Sequence, residues 1–381
     1  MVFRNKILLV AVFLLCQIQP ANAYHATMED VIDRMTLHQM ICQMIVPEAD
    51  DMHAGTPMTK VDDIVKTEMR KYPVGGILFP SSAMQSKEQV KKLMLDLDQV
   101  SDITLMKTCD EEGGSVGRLM YRVGTTKIGP MLSYEKEGRE KAYMNAKTIA
   151  GDMSALGLNV DMAPVADTYS DPDNRVIADR AYSRDFASAA RLVPEAVRGF
   201  HDGGVGTTLK HFPGHGGTKQ DSHLGEAIVD CSLEELHEQE LKPFQAGIAA
   251  GSDIVMVGHL SVPQVDPDHI AAFSSIIVTD LLRKEMGFGG VVITDGMKMG
   301  ALDGVQGGEA AVRAVEAGCD MILQPHDVKE TVSALEEAVE SGRLSRRRIA
   351  VSVKRILIMK QNRGFFKIDD YVNKHPLYLY Q

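Results

Sequence analysis

The stretch GVVITD at residues 290–295 is a short run of apolar and β-branched residues that ends in a carboxylate, Asp295. A continuous apolar run of this length is typical of a strand that is buried on both faces. Seven further runs of the same kind occur along the chain. The predicted strands cover residues 44–49, 75–79, 103–110, 158–164, 206–212, 253–260, 290–295 and 320–325.

Helical patterns separate these apolar runs. Residues 86–100 begin with Ser86 as an N-terminal cap and carry apolar residues at helical spacing, and residues 328–342 repeat the pattern and end at Gly342. Strands that alternate with helices predict a parallel sheet that is covered by helices on both faces. About eight such units favour an α/β fold of the (β/α)8 TIM-barrel type, with an open doubly wound sheet as the alternative.

The beginning of the chain has the composition of an export signal. A basic start, an apolar run at residues 7–16 and the sequence Ala-Asn-Ala at 21–23 predict a cleaved signal peptide over residues 1–23. An uncleaved anchor is the alternative. We therefore expect residues 24–381 to form one catalytic domain that is periplasmic or secreted, with no membrane contact after cleavage.

Charge and cysteine usage limit the classes of partner. The 381-residue chain has a formal net charge of −11, which disfavours nucleic acid and anionic membrane surfaces as main partners. Cys42, Cys109 and Cys319 lie in apolar segments, and Cys231 lies in a polar one. Their spacing predicts no disulfide framework and no structural zinc site, although an exported location permits disulfides.

Polar residues stand at the ends of most predicted strands. In a barrel, the carboxyl ends of all strands meet at one mouth, where active sites lie. We therefore expect the site at that mouth. The residues concerned are Asp110, Lys210, His211, His259, Asp295 and Gln324, with Asp167 and Arg180 following the fourth strand.

Several of these residues allow more than one role. Asp295 suits a nucleophile, a base or a metal ligand, but it is also a good cap for the next helix. Asp221 and His223 have the D-x-H spacing with which an aspartate holds an imidazole in one tautomer for acid/base work. The same spacing also occurs by chance in exposed loops. Lys210 and His211 suit a polyhydroxyl ligand, and Lys210 equally suits an ion pair with a barrel carboxylate.

A metal centre is a further hypothesis to weigh. Barrel metallohydrolases use a comparable set of side chains, but they usually begin with an H-x-H motif on the first strand. The first predicted strand here, MIVPEA, contains no histidine, so we expect neither a metal nor a cofactor. The side chains of that set are His211, His215, His223, His259 and Asp295.

The sequence KHFPGHG at residues 210–216, followed by D-S-H at 221–223, resembles the signature of glycoside hydrolase family 3 in its β-N-acetylglucosaminidase branch. The resemblance extends over nearly the whole mature chain and implies the single-domain form of the branch. Further segments that fall in family order are residues 35–45, 74–79, 109–119, 159–167, 176–182, 255–260, 291–299 and 317–323.

The resemblance implies roles for individual residues. Asp295 would form a covalent glycosyl-enzyme, and His223, supported by Asp221, would protonate the leaving oxygen and then activate water. A flexible arm over residues 213–220 would bring His223 to the sugar. The residues that would bind the terminal sugar are Asp110, Arg180, Lys210, His211 and His259.

The chain departs from the family pattern at three positions. Glu111 stands where the family usually has Gln, Ser115 where it has Arg, and Gly296 where it often has Asp or Ala. These departures leave the fine shape of the sugar site open.

We therefore expect an exported, monomeric, exo-acting retaining β-N-acetylglucosaminidase. Its substrate would be a small glycan with a terminal GlcNAc, such as a peptidoglycan fragment or a chitooligosaccharide. The alternatives are a β-glucosidase or mixed-specificity exo-glycosidase on the same scaffold, a phosphorylase, and an inactive glycan-binding barrel.

Overall fold

The computed structural model describes residues 26–219, 227–299, 302 and 304–376. The predicted signal peptide and the predicted acid/base pair Asp221 and His223 lie outside the described residues. The strands are β1 (Ile45–Val46), β2 (Gly76–Leu78), β3 (Met106–Cys109), β4 (Glu111–Gly113), β5 (Val116–Gly117), β6 (Val160–Asp161), β7 (Thr208–Phe212), β8 (Ala227–Ile228), β9 (Ile254–Val257), β10 (Leu260–Val262), β11 (Asp266–Ile270), β12 (Val291–Thr294) and β13 (Ile322–Leu323).

Helices fill most of the intervals between these strands. They are α1 (Met28–Asp33), α2 (Leu37–Gln43), α3 (Asp63–Lys71), α4 (Lys87–Val100), α5 (Leu119–Arg122), α6 (Tyr134–Glu137), α7 (Arg139–Leu156), α8 (Phe186–Asp202), α9 (Leu233–Glu238), α10 (Leu241–Ala249), α11 (Gly307–Ala317), α12 (Val328–Glu340), α13 (Arg346–Asn362) and α14 (Ile368–Lys374). A π-helix spans Ile276–Glu285, and a short 3₁₀ turn spans Ala178–Arg180.

Parallel ladders join the eight strands that the sequence predicts. β2, β3 and β6 form one parallel sheet, β7, β9 and β12 form a second, and β1 pairs with β13. Isolated parallel bridges then connect these sheets, at Glu48–Leu78, Val160–Gly206 and Ile293–Met321. Each predicted strand is therefore confirmed in type and place, and the observed ladders are shorter than the apolar runs.

Both of the helices that the sequence predicts begin behind a capping side chain. Ser86 caps α4 by accepting a hydrogen bond from the Gln89 amide, as predicted, and the helix buries Val90, Leu93, Met94 and Leu97 on one face. α12 begins at Val328, the predicted position, behind the cap residue Asp327.

The core strands, such as β9 and β12, are buried along their whole length, which explains their continuous apolar sequence.

The cysteines are free thiols among the described residues. Cys42, Cys109 and Cys319 are buried and Cys231 is half-buried. Burial raises the pKa of the Cys109 thiol well above its ordinary value, so that thiol stays protonated and inert.

No helix in the described part of the chain is both long and apolar enough to cross a membrane.

Lys360 is a fully buried cation on α13. Its Nζ donates a hydrogen bond to Gln43 Oε1 at 3.1 Å, and burial lowers its pKa to about 7. In the unfolded chain a lysine has a pKa of about 10.4. Between these values the unfolded chain binds a proton that the folded chain lacks. The free energy of unfolding therefore rises with pH over that window.

We predict that Lys360→Met removes about 1.4 kcal/mol per pH unit from the slope of unfolding free energy between pH 7 and 10. Urea unfolding at a series of pH values measures this slope. Lys329→Met, at an exposed position on α12, is the control and should keep the wild-type slope. Equal slopes for Lys360→Met and wild type would show that Lys360 stays charged in the fold.

Candidate active site

A cleft of about 470 Å³ opens where the carboxyl ends of several parallel strands meet. Residues that follow β1, β2, β3, β12 and β13 contribute to its wall, as do residues within β7. Of the residues predicted at the mouth, six line it: Asp110, Arg180, Lys210, His211, Asp295 and Gln324. Its other lining residues are Glu48, Leu78, Phe79, Pro80, Glu112, Val116, Arg118, Met162, Met256, Lys298, Met299 and Leu323.

Lys210 is the centre of a buried ion cluster in this wall. Its side chain is 3% exposed, and its Nζ donates to Asp110 Oδ1 at 2.9 Å and to Glu112 Oε1 at 2.6 Å. The ion-pair alternative for Lys210 is thereby confirmed. The residue also lines the cleft, and its binding to a polyhydroxyl ligand stays a prediction. Arg118 adds a further contact to Asp110 at 3.2 Å.

Arg180 holds Glu112 from the other side. Two parallel hydrogen bonds of 2.8 Å join its Nε and Nη2 to the two oxygens of Glu112. Burial by itself would raise the pKa of Glu112, but the Arg180 and Lys210 cations outweigh it and hold that pKa well below its ordinary value. Glu112 is therefore charged at neutral pH, as are the Lys210 and Arg180 cations, whose pKa values its carboxylate helps to raise.

Asp167 fixes the orientation of His211. The buried carboxylate accepts from His211 Nδ1 at 2.7 Å and from the His211 and His215 amides at 3.1 and 2.7 Å. Burial would raise the pKa of Asp167, but the adjacent His211 imidazole outweighs it and lowers that pKa. Because Nδ1 is occupied, His211 can offer Nε2 to a ligand in the cleft.

Asp295 follows β12 directly, as the sequence predicts. Its amide donates to the Val257 carbonyl at 2.9 Å, which ties it to β9, and its Oδ1 accepts from the Gly296 amide at 2.8 Å. His259 is buried behind this turn, with Nε2 placed 3.1 Å from the Gly296 carbonyl oxygen. His259 thus supports the main chain after Asp295, and it is absent from the described lining of the cleft.

The base of the loop that follows β7 is firmly held. His215 Nδ1 lies 2.6 Å from Thr218 Oγ1, and Asn174 Nδ2 donates to the His215 and Gly216 carbonyls. A β-carbon at position 216 would lie only 1.6 Å from the Thr168 carbonyl oxygen, so that glycine permits close packing. These contacts hold residues 213–218 in place in the structure, and the movement predicted for the arm at 213–220 stays a prediction.

Glu240 packs beneath the same loop base. A β-carbon at Gly214 would lie 2.8 Å from its carboxyl group, and one at Gly217 would lie 3.3 Å away. Burial, together with the nearby Asp167 carboxylate, raises the pKa of Glu240 to about 8. At neutral pH the group is therefore largely an uncharged acid that fills space under the loop.

The three departures from the family pattern have separate explanations. Glu111 is turned away from the cleft and accepts from the Arg118, Leu119 and Met120 amides at 2.6–2.9 Å. Ser115 donates to Asp179 at the surface. Gly296 borders the Gln324 side chain, which occupies the space that a β-carbon would need.

Sequence reasoning missed Glu112, and it placed Asp167 near the mouth without giving it a role. Both were visible as acids near strand ends, but no motif indicated the contacts that they make. Their partners lie 68 and 44 residues away, which no local spacing encodes.

The metal hypothesis gains no support from the geometry. Within the described ranges, no three His, Cys, Asp or Glu side chains gather as they would around a metal ion. His211 contacts Asp167, and His259 contacts a main-chain carbonyl.

The arrangement suits a glycosidase. Charged donors that are already oriented can bind the hydroxyls of a sugar, and a carboxylate in the same cleft can act on its reactive carbon. The class of protein that this fold and site define is thus a glycoside hydrolase.

Comparisons with known proteins agree with this class. The family described as "Glycosyl hydrolase family 3 N terminal domain" matches residues 36–359. A beta-hexosaminidase of Stenotrophomonas maltophilia (strain R551-3) is 36% identical over 293 residues, which cover 74% of this chain and 85% of the relative.

Solved structures give the same family. A glycoside hydrolase family 3 beta-N-acetylglucosaminidase from Paenibacillus sp. str. FPU-7 has a TM-score of 0.81 and 38% identity, covering 87% of this chain and 63% of that chain. This chain therefore spans less than two thirds of the Paenibacillus protein. A Beta-N-acetylhexosaminidase from Beutenbergia cavernae DSM 12333 has a TM-score of 0.75 and 25% identity, and the match covers 86% of this chain and 99% of that chain. The chain belongs to glycoside hydrolase family 3.

We predict that Glu112→Gln destabilises the protein by about 3–5 kcal/mol, because it leaves the Arg180 and Lys210 cations short of one buried partner. Denaturant unfolding at neutral pH measures the change. Glu137→Gln, at an exposed position, is the matched control and should stay within about 0.5 kcal/mol of wild type. If Glu112→Gln lowers the free energy of unfolding by no more than the control does, the buried-charge explanation is wrong.

Proposed function

We propose that the protein is an exo-acting retaining β-N-acetylglucosaminidase that removes terminal β-GlcNAc from small glycans. The observation that carries the proposal is the shared cleft of Asp295 and the Lys210 ion cluster. Its volume of about 470 Å³ is near the lower end for ligand sites, which favours one terminal sugar over an extended chain. The Paenibacillus relative is named a beta-N-acetylglucosaminidase, which supports the same sugar, and the Stenotrophomonas relative is named a beta-hexosaminidase, which agrees with it.

In the first step, the Asp295 carboxylate attacks the anomeric carbon. The bond from that carbon to the aglycone oxygen breaks, and His223 gives its proton to the leaving oxygen. Lys210, Arg180 and His211 hold the sugar hydroxyls during the attack. The product on the protein is a glycosyl ester of Asp295.

In the second step, His223 takes a proton from water as that water attacks the anomeric carbon. The ester bond to Asp295 breaks, so the carboxylate is restored and GlcNAc leaves with retained configuration. Asp221 stabilises the charged imidazole between its two proton transfers. No cofactor enters either step.

We further infer that the eight parallel strands close into a (β/α)8 barrel. The ladders and bridges run from β1 through β2, β3, β6, β7, β9 and β12 to β13, and β13 pairs with β1. Such a barrel places the ends of all eight strands at one mouth. Residues 24–381 would form this single domain, and we propose that it is an exported monomer acting on peptidoglycan fragments or chitooligosaccharides.

We predict that purified protein releases 4-nitrophenol from the β-GlcNAc glycoside at least tenfold faster, in kcat/KM, than from the β-glucoside. Colorimetric assays with and without added phosphate measure both rates. A preference for the glucoside would replace the proposal with a β-glucosidase, and a rate that depends on phosphate would replace it with a phosphorylase.

Asp295→Ala should lower kcat by at least about 10⁴-fold while the melting temperature stays close to that of wild type, because the variant lacks the attacking oxygen. Asp280→Ala, at an exposed acid on the π-helix, is the control for loss of a surface carboxylate. Retention of activity by Asp295→Ala would disprove the nucleophile assignment.

His223→Ala should slow substrates with poor leaving groups much more than activated ones, because only poor leaving groups need a proton. Rates for a series of substituted phenyl β-GlcNAc glycosides measure this dependence. An equal loss across the series would assign His223 to binding instead of proton transfer.

A further inference from the structure

Gln324 has a main-chain conformation that is unusual for its residue type. It follows β13 with a φ of +44°, in the left-handed region that a residue with a side chain seldom adopts. Its amide donates to the Val46 carbonyl at 2.8 Å, which holds it in the sheet. Strained residues of this kind concentrate at functional sites, where the surrounding structure holds them. Gln324 lines the same cleft as Asp295.

The Gln324 side chain is fixed by Glu48. Its Nε2 donates to Glu48 Oε2 at 3.2 Å, and because a carboxylate only accepts, this contact assigns the two ends of the amide. The oxygen Oε1 therefore points away from Glu48. It lies so close to Gly296 that a β-carbon at position 296 would be 2.6 Å from it.

Gly296 is a neighbour of both the Gln324 side chain and the Asp295 carboxylate. The Gly296 amide donates to Asp295 Oδ1 at 2.8 Å, so the carboxylate and Gln324 Oε1 both lie against one residue. Two other carboxylates of the cleft are already engaged. Asp110 accepts from Lys210 and Arg118, and Glu112 accepts from Lys210 and Arg180.

We propose that Gln324 determines sugar specificity by accepting a hydrogen bond from the donor group on C2 of the bound sugar, the N–H of a 2-acetamido group. The inference rests on the proposed function, in which Asp295 attacks C1, because C2 is bonded to C1 and so lies beside the attacking carboxylate. Gly296, one of the departures from the family pattern, is the residue that gives the Gln324 amide its place.

The test compares sugars that differ only at C2. We would measure kcat/KM of wild type and Gln324→Leu for the 4-nitrophenyl β-glycosides of GlcNAc, glucose and 2-deoxyglucose. Leucine keeps the bulk of the side chain and removes the acceptor. We expect Gln324→Leu to lose about tenfold or more with GlcNAc and to stay within about twofold with 2-deoxyglucose, which has no donor at C2.

Two further variants separate specificity from structure. Gly296→Ala should reproduce the selective loss, because its β-carbon displaces the Gln324 oxygen. Gln306→Leu is the matched control, at an exposed glutamine before α11 that makes no cap hydrogen bond, and it should match wild type on every substrate. If Gln324→Leu lowers kcat/KM equally for the GlcNAc and 2-deoxyglucose glycosides, the role of Gln324 is structural. If kcat/KM falls for neither glycoside, Gln324 has no role in specificity. Either result overturns the proposal.

Failure of this specificity proposal can be distinguished from failure of the proposed activity. If wild type cleaves the glucoside and not the GlcNAc glycoside, the proposed activity fails, and the glucoside then serves as the substrate with a C2 donor. If wild type turns over none of the three, calorimetry with free N-acetylglucosamine and 2-deoxyglucose makes the same comparison. Loss of affinity for N-acetylglucosamine alone in Gln324→Leu supports the role of Gln324, and unchanged affinity overturns it.

Discussion

The buried ion cluster of Lys210, Asp110, Glu112 and Arg180 is the constraint on which the site depends. Charges removed from water are costly unless each meets a partner, so these side chains must lie where the others require them. The contacts join the end of β3, the strand β4, the end of β7 and the turn Ala178–Arg180. One electrostatic requirement thereby sets the wall of the cleft.

The charge balance of the cluster suits a neutral ligand. The Asp110 and Glu112 carboxylates are already paired with the Lys210, Arg180 and Arg118 cations, so a neutral sugar can bind at the cluster without leaving a carboxylate unpaired. Asp295 stands outside this cluster, with its Oδ1 held by the Gly296 amide. A carboxylate that a main-chain amide orients towards the cleft can serve as the nucleophile of glycosyl transfer.

Much of the fold could be predicted from the sequence, because strands buried on both faces need continuous apolar runs such as residues 253–260 and 290–295. The strand-end rule also placed Asp110, Lys210, His211 and Asp295 at one cleft. Long-range pairing could not be predicted, since the partner of Glu112 is 68 residues away. The role of the glycines at residues 214–217 could not be predicted for a different reason. Their number in the sequence suggested a mobile loop, whereas in the structure they permit close packing.

The central claim is that hydrolysis passes through a covalent sugar ester on Asp295. Incubation with a 5-fluoro β-GlcNAc fluoride should trap this ester, and peptide mass spectrometry locates the added mass. The account predicts stoichiometric labelling of the peptide that contains Asp295, with no labelling of Asp295→Ala. An active enzyme that is labelled on another residue, or is never labelled while it turns over substrate, would contradict it.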